Sequence, residues 1–171
     1  MTHRALPLLL LLTACASTLE FDVGQDVPEQ TVQGSALPGI LATLFPLPLS
    51  IDIASQVAAK KTGPIHAILL TDLHLDITDT QKPAGDTDDW SFVKHVDLYV
   101  QSTKKDSSLP KVKVATVDQP GAVQRMSFAP LGVNLLDYVN EGAQLTSEVS
   151  GTQPADDTSF VGHATFRVQP L

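Results

Sequence analysis

The segment LLTDLHLDITD, residues 69–79, restricts the fold more than any other stretch of this chain. Leu69, Thr71, Leu73, Leu75 and Ile77 alternate in it with Leu70, Asp72, His74, Asp76 and Thr78. Only an extended strand with one face on a core and the other in water sorts residues by a period of two; a helix would scatter them around its axis. The same period recurs in TLEFDVGQD (18–26), where Leu19, Phe21 and Val23 point one way and the strand is expected to end at Gly24. It recurs in LSIDIAS (49–55) with Leu49, Ile51 and Ile53, and in FVKHVDLYVQS (92–102) with Val96, Leu98 and Val100. KVKVATV (111–117) places Val112, Val114 and Thr116 together, and QLTSEVSG (144–151) and GHATFRVQP (162–170) complete seven strands.

Turn signals separate these runs: GSALPG at 34–39, TGP at 62–64, KPAGDTDD at 82–89, DSSLP at 106–110, QPG at 119–121 and GTQPADDT at 151–158. Helix is confined to SQVAAKK, with Ser55 as N-cap and Gly63 beyond its end, and to VNLLDYVNEG, closed by Gly142. Short strands spaced by turns, without the long helices that parallel crossovers need, predict an all-β fold. The expectation is an immunoglobulin-like antiparallel β-sandwich of about seven strands with minor helical turns.

The N-terminus follows a different pattern. Met1 to Arg4 form a short basic start, and ALPLLLLL, residues 5–12, is an apolar block of the length of a signal-peptide core, far short of the roughly 20 residues that span a bilayer. Leu12, Thr13, Ala14 and Cys15 then resemble the lipobox of bacterial lipoproteins, and Cys15 is the only cysteine of the chain. The resemblance implies that the Cys15 thiol is diacylated and that residues 1–14 are removed as a signal peptide. Residues 15–171 would remain as a single β-sandwich domain with an N-terminal lipid anchor. Two or three acyl chains hold firmly where one holds marginally, since each buried methylene contributes about 0.8 kcal/mol. Ala16 and Ser17 follow the cysteine with no Asp, which resembles lipoproteins destined for the outer membrane. The body is also loosely similar to sandwich domains of uncharacterised bacterial surface proteins, in which a YV..G segment, here Tyr138, Val139 and Gly142, precedes the last hairpin.

Removal of residues 1–14 takes the 171-residue chain to 157 residues, enough for one core, and loss of Arg4 leaves 10 basic against 19 acidic residues. A net charge of about −9 argues against nucleic acid and against anionic lipid headgroups as partners, since both would repel it. With Cys15 acylated, no thiol remains for a disulfide, a nucleophile or a metal. No serine-hydrolase elbow, zinc-protease helix, phosphate loop or dinucleotide fingerprint occurs, so no enzyme activity and no cofactor are expected. Ser127, Ser147 and Ser159 have no histidine near them in the sequence.

Two acidic groupings suit metal chemistry. Asp72, His74 and Asp76 share one face of their strand and offer oxygen and nitrogen donors to a divalent ion, with His95 or Asp97 of the following strand as added ligands. Asp86, Asp88 and Asp89, in the loop GDTDDW, could gather around calcium, although the loop lacks the distal Glu of an EF-hand. Otherwise Asp97 reads as one more solvated outer residue whose loss changes stability little. LPGILATLFPLPL, residues 37–49, is broken by Pro38, Pro46 and Pro48 and suits packing over a sandwich end or contact with an apolar partner. The expected function is that of a non-catalytic, lipid-anchored envelope module, structural or binding, meeting another envelope protein or a polysaccharide. The alternatives are a metal-dependent binding or hydrolytic protein using calcium or zinc, and a periplasmic carrier of lipid or another apolar ligand.

Overall fold

In the computed structural model, residues 20–34, 49–51, 53–79 and 87–171 are described. The expected signal segment (residues 1–14), Cys15, Asp86 and all of residues 37–48 lie outside these. Along the chain run β1 (Phe21–Val32), β2 (Leu49–Ile51), α1 (Ala54–Ala59), β3 (Ile65–Thr78), a 3-10 turn (Trp90–Phe92), β4 (Val93–Ser102), β5 (Val112–Asp118), β6 (Arg125–Ser127), β7 (Ala129–Pro130), α2 (Leu136–Glu141), β8 (Ala143–Gly151) and β9 (Thr158–Pro170). They form two antiparallel sheets, in the orders β1-β9-β3-β6 and β2-β8-β4-β5-β7, packed face to face as a sandwich. The seven strands expected from alternation are β1 to β5, β8 and β9. The remaining β6 and β7 are three and two residues long, too short to show a period.

β1 does not stop at Gly24 but continues to Val32, burying Val23, Val27 and Val32. It is an edge strand, and an edge tolerates what an inner strand would not. Its register shifts between Val27 and Gln30, around Pro28, whose missing N–H leaves no inner ladder unpaired. The glycine answers a local crowding: a Cβ at Gly24 would lie 2.9 Å from His163 Cε1 on β9.

β3 breaks its own alternation. Its pairing with β9 slips between Leu70 and Asp72, so Thr71 is an extra residue. Beyond this bulge Leu73, Leu75 and Ile77 face the core as expected, but before it Ala67, Ile68 and Leu70 are buried, while Leu69 is only half-buried and Thr71 is exposed. β5 does the same at Val114, where Leu98 pairs with Ala115 and Tyr99 with Lys113. Thr116 therefore faces outward, against the expectation that it joins Val112 and Val114.

The core between the sheets is filled by Val96, Leu98 and Val100 of β4, Phe160, Phe166 and Val168 of β9, and Trp90. Trp90 stacks edge-on against Phe160 at 5.4 Å and donates its indole N–H to the Gln124 carbonyl at 3.1 Å. Both helices lie at one end. α1 is capped by Ile53 with no side-chain bond, so Ser55 falls inside the helix, and Gly63 follows with φ of +84°. α2 closes at Gly142, φ +88°, where a side chain would be strained and would meet Thr103 Oγ1. At this helical pole β1 begins, β9 ends and β3 begins, with Phe21 opposite Val168 and Ile65 opposite Pro170. The turn after β4 joins them, as Ser102 pairs with Ala143. The opposite pole carries the turns around residues 79, 87–92, 119–124 and 152–157.

Candidate functional site

The outer face of β3 holds Asp72, His74 and Asp76 in a row. His74 bonds through Nδ1 to Asp72 Oδ2 at 2.7 Å, while its Nε2 stands 3.8 Å from Asp76 Oδ2. Asp76 has a stronger partner. β6 brings Arg125 directly opposite, and its guanidinium meets both carboxylate oxygens, at 2.6 and 2.9 Å. This bidentate bond, helped by the arginine charge, lowers the Asp76 pKa against the opposing effect of burial. A cation approaching this row meets two donors, Asp72 and His74, beside a carboxylate already neutralised.

The neighbours differ from those expected. His95 and Asp97 belong to β4, in the other sheet, because the chain crosses from one sheet to the other between β3 and β4. The strand beside β3 is β9, arriving some 90 residues later, and it places His163 opposite His74 with ring centroids 6.0 Å apart. His163 Nδ1 is bonded to Asp26 of β1 at 2.6 Å. On the other flank Ser127 of β6 lies opposite His74, a serine and a histidine brought together from 53 positions apart. No hydrogen bond joins the two side chains among the described residues, and the face is open to water. Among the described residues no group of three or more His, Cys, Asp or Glu side chains is arranged to hold one metal ion.

The second sheet carries a tighter network, centred on Asp97. This carboxylate is 9% exposed. It accepts from Lys113 Nζ at 2.5 Å, Thr116 Oγ1 at 2.9 Å and His95 Nε2 at 3.0 Å. Burial pushes its pKa up, but the bonds from Lys113, Thr116 and His95 outweigh that and hold it at about 2. His95 is gripped on both sides, by Asp118 through Nδ1 at 2.5 Å and by Asp97. The hydrogen bond to Asp118, then that to Asp97, raises its pKa above the usual histidine value. The Val114 bulge makes this possible, since it turns Thr116 toward Asp97. Lys111 extends the array, with Nζ 4.2 Å from the Tyr99 ring centroid and 2.7 Å from Glu148. Sequence reading missed Lys113, Thr116 and Asp118 as partners, and the only signal for them was their polar positions on a short strand.

The aspartate loop is reached only in part. Asp89 accepts from the Ser91 amide at 2.9 Å and so caps the 3-10 turn. Asp88 and Asp89 line a polar hollow of about 260 Å³ together with Asp156 from the β8–β9 turn, a residue the sequence did not single out. An apolar notch of about 280 Å³ opens at the helical pole, lined by Val57 and Ala58 of α1, Ile65 and Ile68 of β3, and Leu136 and Val139 of α2. Trp90 is buried, and Tyr138 donates its hydroxyl to the Pro110 carbonyl at 2.7 Å, which leaves Tyr99 as the aromatic ring on a sheet face. No protein-family model and no curated protein matches this chain.

Proposed function

We propose that this protein is an envelope lipoprotein, held at the outer membrane by acyl chains on Cys15, whose β-sandwich is a non-catalytic binding or structural module. The observation that carries the reading is the ordered sequence of basic start, apolar block and Leu12-Thr13-Ala14-Cys15, followed by Ala16 and Ser17. The arrangement of polar groups supports binding over catalysis. His74, His95 and His163 are each engaged by a carboxylate on an outer sheet face, with their imidazoles partly exposed to water, and not in a cleft that would sharpen electrostatics around a reacting atom. Such faces suit a polar partner, another envelope protein or a polysaccharide.

The test is metabolic labelling with a palmitate analogue in cells expressing the full chain. The wild type incorporates label and is shortened by 14 residues, while Cys15→Ala incorporates none and accumulates as precursor. Labelled Cys15→Ala protein overturns the reading.

A further inference from the structure

The chain enters the sandwich at the helical pole, and this settles which end an anchor can bring to a membrane. Only six Cα steps separate Cys15 from Phe21, so the tether spans at most about 21 Å even fully extended. β9, 13 residues long, runs about 40 Å from that pole to the other. The far pole cannot be brought down by stretching the tether; the domain would have to lie on its side.

Charge separates the poles in the same sense. At the far end Asp79, Asp88, Asp89, Asp118, Asp156 and Asp157 face Lys94 and Arg125 as the described basic residues, and Arg125 is committed to Asp76. At the helical pole Lys60, Lys61, Lys104 and Lys105 are all exposed and balance Glu20, Asp106, Asp137 and Glu141. Lys104 is paired with Glu141. Lys60 and Lys61 form no ion pair with a described residue; Lys60 lies 6.0 Å from the Phe21 ring, at the first residue of β1. An anionic bilayer repels the chain's net charge, and the aspartate pole most of all, but attracts the exposed ammonium groups of Lys60 and Lys61 beside the point where the tether arrives.

We infer that the helical pole is the membrane-facing surface, with Lys60 and Lys61 against anionic lipid phosphates and the aspartate pole projected away from the bilayer. The inference rests on acylation of Cys15 as proposed above. It is tested on the full-length acylated protein in vesicles of phosphatidylcholine and phosphatidylglycerol carrying a headgroup-linked spin label. Thr62→Cys and Ala155→Cys, exposed at the two poles, each take one thiol-reactive fluorophore, because acylated Cys15 offers no competing thiol. The label at 62 should lose most of its emission and the label at 155 should keep it. Adding Lys60→Glu and Lys61→Glu should restore part of the emission at 62. Equal quenching at both positions in protein that floats with the vesicles overturns the orientation alone. Protein that does not float removes the anchor and the inference with it. Unchanged quenching in the double lysine variant removes Lys60 and Lys61 from the contact.

Discussion

Asp97→Ala takes one carboxylate from three donors at once, leaving Lys113, Thr116 and His95 to find water or new partners. Because Asp97 is largely buried while Lys113 is 40% exposed and easily resolvated, the expected loss is about 2 kcal/mol and not the larger cost of a sealed ion pair. Glu148→Ala, whose side chain is 61% exposed in its pair with Lys111, should cost under about 0.5 kcal/mol. The pH dependence follows from the direction of the shift. Asp97 titrates near 2 when folded and near 4 when unfolded, so its contribution is complete above about pH 4 and is lost as pH falls through 2. Urea unfolding at pH 7 and at pH 2.5 checks this: the gap between wild type and Asp97→Ala should shrink at the lower pH. A gap no larger than that of Glu148→Ala at pH 7 would return Asp97 to the solvated surface that alternation alone suggests. The sequence places Asp97 on the outer face, but how far an outer residue is covered depends on Lys113 and Tyr99, whose positions a bulge sets.

Bulges are also where whole strands depart from their sequence pattern. The extra residues Thr71 of β3, which also slips near its start between Ile65 and Ala67, and Val114 of β5 each change which parity faces the core on either side. Nothing in LLTDLHLDITD marks the change, because Leu69 and Leu70 are both apolar and either satisfies a buried position. β9, by contrast, alternates without a break over Phe160, Gly162, Ala164, Phe166 and Val168 although both neighbours slip opposite it, and its small residues are matched to bulky ones opposite. At Gly162 a Cβ would come 2.5 Å from Leu75 Cδ2 and 2.8 Å from the His74 carbonyl oxygen. The leucine can turn away, but the carbonyl belongs to the β3 ladder. Gly162→Ala is therefore expected to destabilise the domain by about 1–3 kcal/mol, although alanine normally favours folding over glycine by stiffening the unfolded chain. A calorimetric melt decides it, and an unchanged or raised melting temperature would show that the β3–β9 ladder has room to part.

At the scale of the molecule, the last strand lies inside its sheet, between the first and the third. Phe21 pairs with Val168 and Ile68 with the same residue from the other side, so β1 and β3 have no shared sheet until β9 arrives. Ending the chain after Asp157 should leave protein without cooperative unfolding or dispersed amide signals, since Phe160, Phe166 and Val168 leave the core together. A cooperative melt in that truncation would contradict the sheet order. Pairing over such sequence distances also predicts refolding in milliseconds to seconds, slower than a helical bundle of similar size. The sequence by itself determined the class of fold, seven of the strands, both short helices and the glycine at 142 that closes the second, because period-two burial, turn chemistry and left-handed backbone are properties of a few consecutive residues. The lipobox resemblance at Cys15 falls outside the described residues. Only the tertiary structure decided that His163 and Ser127 lie opposite His74 and that Arg125 takes Asp76 while His95 and Asp97 lie in the other sheet, that Thr116 faces out, and that unbalanced aspartates gather at one pole. Those are matters of which distant strands become neighbours and where each ladder slips by one residue, and neither the free energy of pairing nor the place of a bulge is written within a single strand.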